Sequence, residues 1–395
     1  MRGRVLMLLE NNTYPRDSRV RQEAVALLGD GWRVAVICPA DKGQPMREVL
    51  EGVLVCRFRA PRPGMGRAGY LWEYVYSLLA TFVLSLLLWL RPGFDIIHAA
   101  NPPDTAVFIA GFYRLFGKRF VLDHHDLAPE LYLARFGDAR EDAIYRLLLR
   151  LERWSCRLAH HVIATNESYK GLEMRRDGVP EQRITVVRNG PRLSQLRTRD
   201  SCSITTPPGK AVLVYVGMIG FQDGVDYLVR ALHHLVYTVG RRDLLCYVVG
   251  DGAALPSVRW LASRLGLDNY LTFTGWAESC QVGSYLGVAD VCLAPEPSNA
   301  INDRSTMIKI VEYMAAGKPI VAFDLPEHRV SAAGAAVYVR PNDETEFARQ
   351  IALLMDSPSR RRTMGEIGKN RVETELAWEH QERHLLATYR ILESQ

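Results

Sequence analysis

No Cys-x-x-Cys pair occurs in the chain. Its seven cysteines (Cys38, Cys56, Cys156, Cys202, Cys246, Cys280 and Cys292) are odd in number and scattered. That argues against a disulfide framework or a structural zinc site and suits a reducing cytoplasm. No solenoid-length repeat or low-complexity tract is present, which excludes repeat and disordered architectures. The first apolar run, Val5–Leu9, ends at Glu10, Asn11 and Asn12 after five residues. It is too short for a secretory leader and reads as a β-strand. The loop after it, Asn11-Asn12-Thr13-Tyr14-Pro15, holds no glycine, which counts against NAD or FAD. The histidine pairs His124-His125, His160-His161 and His233-His234 could suggest metal ligation. Adjacent strand residues point to opposite faces, however, so no metal is expected.

What is present is ordinary for a globular chain: 395 residues, 48% hydrophobic and 24% charged, enough for two domains. Short apolar runs bounded by turn residues alternate with helical segments, from Val5–Leu9 to Thr185–Arg188 and again from Val212–Gly217 to Ala336–Val339. Continuous apolar strands of this kind imply parallel sheets covered on both faces. The pattern restarts after a stretch with Pro207-Pro208 and no apolar periodicity. The expected organisation is a domain over 1–195, a linker over 196–210, a second domain over 211–370, and a C-terminal helix within 371–395 that packs back on the first domain. The fold class is α/β, two doubly wound domains facing a cleft, with ligands beyond the carboxyl ends of the strands. Residues 1–195 carry 28 Lys and Arg against 21 Asp and Glu, whereas the rest carry 21 against 23. A basic first half suits phosphates or a membrane surface. Its arginines are dispersed rather than striped, so no nucleic-acid partner is expected.

Tyr74–Leu90 is 17 residues without a charge, flanked by Tyr70, Trp72, Tyr76 and Trp89. A transmembrane span would put the first three strands across the bilayer from the rest of their own sheet, and is rejected. Two readings remain: a buried helix, or an interfacial helix giving peripheral membrane contact through residues 70–90.

The richest stretch is Glu296–Asp324. A strand ends at Ala294, a polar loop follows, and a helix is expected from near Ser305, with Asp303, Ser305 and Thr306 as cap residues and Gly317 ending it. Such a helix start offers free N–H groups to a phosphate. Lys309 and Glu312 lie three residues apart on one face, a cation for phosphate beside a carboxylate for sugar hydroxyls. An exposed ion pair on an ordinary helix would have the same spacing.

Glu312-Tyr-Met-Ala-Ala-Gly-Lys-Pro-Ile-Val resembles the second half of the Glu-x7-Glu signature of family 4 glycosyltransferases, which have the GT-B fold. Val212–Leu228 resembles the strand, Gly-rich turn and helix opening that family's donor domain. Val248-Val-Gly-Asp-Gly252, Phe273-Thr-Gly275, Ala289-Asp290 and Val187-Arg-Asn-Gly190 match later landmarks. Asn11–Gln22, Val34–Pro39 and His124-His125-Asp126 match the acceptor domain. The resemblance implies transfer of a sugar from a nucleotide diphosphate sugar with retention and without a metal. It implies that Glu312 binds the ribose and that His125, paired with Asp126, approaches the reacting centre. It also implies that Gly217 and Gly220 of the turn, with the amides of Ser305, Thr306 and Met307, hold the diphosphate. Three positions depart from the family: Arg304 stands where the signature's first Glu belongs, and Met218 and Asp223 stand where the turn's Arg and Lys belong. Lys309 and Arg304 are the cations expected to take over. Arg16, Asp17 and Arg19 after the first strand, and His98, are the acceptor-side candidates. The implied acceptor is lipid-linked or a polysaccharide precursor, and the setting is the cytoplasmic face of a membrane. A nucleotide-sugar epimerase and an inactive scaffold subunit are the alternatives.

Overall fold

The computed structural model describes residues 2–60, 66–136, 142–193, 204 and 206–394. The chain divides into two compact units, Met1–Arg188 with Gln381–Gln395, and Asn189–His380. The division falls before the expected end of the first domain at 195. Gly190 lies so close to the Leu376 carbonyl that a Cβ there would approach it to 2.1 Å, and Trp378 donates its N–H to the Pro191 carbonyl at 3.0 Å. These contacts tie residues 189–193 to the second unit. Of the expected linker, residues 196–203 and 205 lie outside the described residues.

The first unit is built on an eight-stranded sheet: β1 (Arg4–Leu8), β2 (Arg33–Ala40), β3 (Arg47–Leu50), β4 (Val53–Arg59), β5 (Ile96–Ala100), β6 (Arg119–His124), β7 (His161–Ala164) and β8 (Ile184–Val186). Their order is β3-β4-β2-β1-β5-β6-β7-β8. All pairs are parallel except β3 with β4. The second unit has six parallel strands: β9 (Ala211–Val216), β10 (Leu244–Val249), β11 (Leu271–Gly275), β12 (Val291–Ala294), β13 (Ile320–Phe323) and β14 (Ala336–Val339). They run β11-β10-β9-β12-β13-β14. Every strand read from the sequence is present, with ends moved by at most two residues. The additional strand is β3, a short antiparallel edge strand without a continuous apolar run to announce it. The order reverses at β1/β5 in one sheet and at β9/β12 in the other, so these are the two switch points where a ligand crevice forms.

Five helices bear on the sites: α1 (Ser18–Gly29), α2 (Gly66–Leu90), α3 (Ala106–Arg114), α4 (Ile308–Ala315) and α5 (Pro326–Ala332). The C-terminal helix, Trp378–Ser394, belongs from Gln381 onward to the first unit. There the Tyr389 hydroxyl meets His98 Nδ1 at 2.7 Å, and its ring packs edge-on against Trp32.

Among the described residues α2 contains one segment, Trp72–Leu90, long and apolar enough to cross a membrane, yet only 22% of it is buried. It is not the fully buried helix of the first reading: Leu78, Phe82, Leu84, Leu88 and Trp89 pack on the core, yet an apolar stripe is left outside while small hydroxyls lie within. Ser77, Thr81 and Ser85, four residues apart, face the protein and are buried. Ser85 Oγ donates to the Phe82 carbonyl at 2.7 Å and meets the Tyr113 hydroxyl at 2.9 Å. Trp72, Val75, Leu79, Val83, Leu87 and Leu90 form the exposed stripe. Burying each of these side chains is worth about 1.5–3 kcal/mol, so the outward face is a costly one to leave in water.

Two substitutions separate the faces. Ser85→Leu overpacks the inner face and loses the Tyr113 contact, lowering stability by about 1–3 kcal/mol in urea melts. Leu79→Ser on the outer face leaves the urea midpoint unchanged.

Candidate active site

In the second unit, β9 and β12 end side by side at the switch point. After β9 the chain turns at Gly217, whose N–H is accepted by Val249 at 3.0 Å. A Cβ on Gly250 would lie 1.8 Å from the Gly217 carbonyl oxygen, so β10 can follow this turn only as glycine. Beneath the turn lies Lys309, from the first turn of α4. A Cβ on Gly217 would sit 2.8 Å from its Nζ. Lys309 donates to the Tyr215 hydroxyl at 2.9 Å and pairs with Glu296, just past β12. Tyr215 in turn donates to the Met218 carbonyl at 2.7 Å. Burial opposes the charge on Lys309, but Glu296, Tyr215 and Asp223 outweigh it and raise its pKa, so it remains an ammonium.

Glu312 lies one turn along α4. Burial pushes its carboxyl up to about 7, against the opposing pull of Lys309. Near neutrality it is poised between donor and acceptor, which suits a pair of ribose hydroxyls. Asp223 brings no positive charge to the turn. Its carboxylate accepts the turn's own Gly220 N–H at 2.8 Å, which commits that expected donor-binding amide internally.

The helix begins at Ile308 with Met307 at its N-cap position, three residues later than expected. Asn299 Oδ1 accepts the N–H groups of Ile301 and Asn302 at 3.0 and 2.9 Å, which winds residues 299–305 into a turn of their own. Ser305 then donates to the Ile301 carbonyl at 2.9 Å, and Arg304 to the Ala300 carbonyl at 2.6 Å. Thr306 Oγ1 donates to Glu327 at 3.4 Å. Ser305 and Thr306 therefore precede the helix rather than cap it. The structure gathers Gly217, Lys309 and Glu312; Arg304 is engaged in the loop turn.

In the first unit, Asp123 at the end of β6 organises the charges. It accepts two hydrogen bonds from Arg19, at 3.0 and 2.7 Å, and one from the His125 ring. Arg19 also donates to the Val187 carbonyl at 2.8 Å and lies 3.3 Å from Glu23. Burial alone would raise the Asp123 pKa, but Arg19 and His125 hold it well below the usual carboxylate range. Burial likewise opposes charge on His125, and Asp123 overcomes it to raise its pKa. The His125 backbone N–H is accepted by Asn101 Oδ1 at 2.6 Å, which also takes the Asp126 N–H at 3.3 Å.

Two acceptor-side expectations are corrected here. Arg19 is not in a loop: it lies within α1, 5% exposed. His98 is fully buried inside β5, 3.2 Å from Glu23. Both are interior charges consumed by carboxylates. Asp17 is the N-cap of α1, accepting the Val20 N–H at 2.9 Å, while Arg16 is exposed, 3.9 Å from Asp41. Glu23, Asp123 and His125 bring ligand-type atoms within 4.8 Å of one another. The Arg19 guanidinium already contacts both carboxylates, so this trio does not fit a cation.

Sequence reasoning missed several functional candidates. The Asp123-x-His125 spacing places both side chains on one side of an extended chain and was a readable signal. Glu296, the first polar residue after a buried strand, was another. Glu10 was not readable. It lines a small cavity at the β1/β5 switch point with Leu8, Leu9, Leu78, Thr81 and Thr105, and burial pushes its carboxyl up to about 8.

The descriptions of two families match: Glycosyltransferase Family 4 over residues 18–195, and Glycosyl transferases group 1 over residues 210–357. The chain belongs to glycosyltransferase family 4. D-inositol 3-phosphate glycosyltransferase 2 of Catenulispora acidiphila is 27% identical over 54% of this chain and 52% of its own. The chain thus spans about half the length of that curated relative. Sucrose-phosphate synthase from Thermosynechococcus elongatus has TM-score 0.82 and 18% identity, covering 100% of both chains. Anabaena HepE in complex with UDP-glucose has TM-score 0.71 and 17% identity, covering 99% of this chain and 100% of its own. These likenesses establish the fold as GT-B.

Glu312 gives the candidate site a pH signature. Its carboxyl is raised from 4.5 to about 7 in the folded chain. The associated stability is fully present below pH 4.5 and is lost as pH rises through 7. Glu312→Gln removes that loss: its thermal midpoint relative to wild type rises between pH 5 and pH 8, while its affinity for a nucleoside diphosphate falls.

Proposed function

We propose that this protein transfers a sugar from a nucleotide diphosphate sugar, with retention of anomeric configuration, to a lipid-linked or polysaccharide-precursor acceptor. The observation that carries this reading is the Lys309 ammonium beneath the Gly217 turn at the β9/β12 switch point, with Glu312 one turn further along α4. A diphosphate needs a fixed cation and a close backbone, and a ribose needs a carboxyl group beside them. HepE, which has the same fold, is described with UDP-glucose, and that supports a nucleotide sugar as donor.

No double-displacement nucleophile is assigned. The bond from the anomeric carbon to the diphosphate breaks as the acceptor oxygen bonds on the same face. The acceptor's proton passes to the departing phosphate oxygen. The protein's share is orientation and electrostatic stabilisation of the leaving diphosphate. Lys309 supplies the charge. His125, held by Asp123 and Asn101, is the candidate catalytic side chain of the first unit, and no metal takes part.

The acceptor reading rests on α2 and on the positive charge of residues 1–195. An apolar stripe on a basic unit suits an anionic membrane surface. The helix lies in the interface at the cytoplasmic face, and a lipid-linked acceptor reaches the enzyme there.

Calorimetric titration with UDP, GDP and ADP tests the donor site. One of the three binds, and Lys309→Ala abolishes that binding; near wild-type affinity in the variant contradicts the assignment, and binding of none favours an inactive scaffold. Flotation with phosphatidylglycerol vesicles tests α2. The wild type floats, and Leu79→Glu with Val83→Glu stays with the soluble fraction.

A further inference from the structure

Lys309 is almost fully buried, and an ammonium in such a place needs a partner to keep both its position and its charge. Tyr215 gives it a hydroxyl at 2.9 Å and a ring face at 4.3 Å, both neutral. The carboxylate in direct contact is Glu296, itself wholly buried. Its other oxygen faces His328 Nε2 of α5 at 3.7 Å. His328 Nδ1 bonds the Phe323 carbonyl at 2.9 Å, and burial lowers the ring's pKa. His328 is therefore neutral, with its Nε2 lone pair toward Glu296, and it supplies no competing positive charge. Glu296 is left to Lys309. Among the described residues, two of the ammonium's three N–H groups are committed to Glu296 and Tyr215, which leaves one for a ligand oxygen.

We propose that Glu296 is the positioning residue of the donor site: its carboxylate anchors the Lys309 ammonium beneath the Gly217 turn, where the cation that the turn itself lacks meets the diphosphate. The inference rests on the donor-site reading above and adds the residue that makes Lys309 usable. The turn carries Met218 and Asp223, neither of them a cation, so the charge comes from α4 and is fixed from β12. Without the countercharge, burial favours the neutral amine, and buried lysines lose their proton readily.

The groups facing Lys309 from the surrounding elements are Tyr215 of β9, Asp223 of the turn, Glu296 of the loop, Glu312 of α4 and His328 of α5. Glu312, its carboxyl raised to about 7, passes from about half to fully ionised between pH 7 and pH 9 in the wild type and in the Glu296 variants, so profiles of variants are compared with that of the wild type.

The experiment titrates UDP into the full chain, wild type and variants, at pH 7 and pH 9, with the thermal midpoint recorded for each. Wild-type Kd changes by less than about threefold between the two, because Lys309 stays charged. E296Q keeps an acceptor but no charge, and its Kd weakens about tenfold or more by pH 9 as the lysine deprotonates. E296D keeps the charge but shortens the reach by one methylene; it binds several-fold more weakly at both values, with a flat profile. An E296Q or E296D protein with the wild-type Kd at both pH values, while K309A has lost binding, overturns the role of Glu296 alone. K309A binding UDP as the wild type does overturns the donor-site reading and this inference together.

Discussion

An ammonium buried with a carboxylate is the arrangement on which the candidate site of the second unit depends. Each ion alone is costly to remove from water, and breaking such a pair typically costs about 3–5 kcal/mol. Glu296 and Lys309 come from opposite sides of a polar loop, one just past β12 and the other in α4. Their pairing therefore fixes both ends of that loop. The Gly217 turn fits above them because it carries no side chain. Tyr215 joins the two, holding the Met218 carbonyl with its proton and Lys309 with its lone pair.

The first unit uses the same device at its own sheet. Asp123 gathers Arg19 and His125 at the end of β6, and Glu23 gathers Arg19 and His98 a few ångströms away. The C-terminal helix is drawn in through Tyr389 on His98. The positive residues that looked available to a substrate in this unit are thus largely spent inside it. What the unit presents outward is unusual in a different way: a helix whose hydroxyls face the protein while Val75, Leu79, Val83, Leu87 and Leu90 face away.

The alternation of apolar strands with helices was legible from the sequence, because fully buried parallel strands leave continuous apolar runs. Only β3, short and polar, escaped. Within the site, Gly217, Lys309 and Glu312 were legible because turn chemistry and helix spacing are local properties. The misjudged residues are those whose partners are remote in sequence. Arg19 and His98 read as substrate-facing until the carboxylates of Asp123 and Glu23 are seen beside them. Glu296 and Glu10 read as ordinary loop acids until burial is known. The helix start moved because Asn299, an inconspicuous loop residue, captures two N–H groups and ends the preceding turn.

The most direct test of the account is a crystal structure of the protein with whichever of UDP, GDP or ADP binds. The account predicts the diphosphate over the Gly217 turn, with a phosphate oxygen within about 3.2 Å of Lys309 Nζ, Glu296 still paired to that lysine, and the ribose hydroxyls on Glu312. A diphosphate seated on Arg304 or elsewhere, with Lys309 and Glu296 out of its reach, contradicts it.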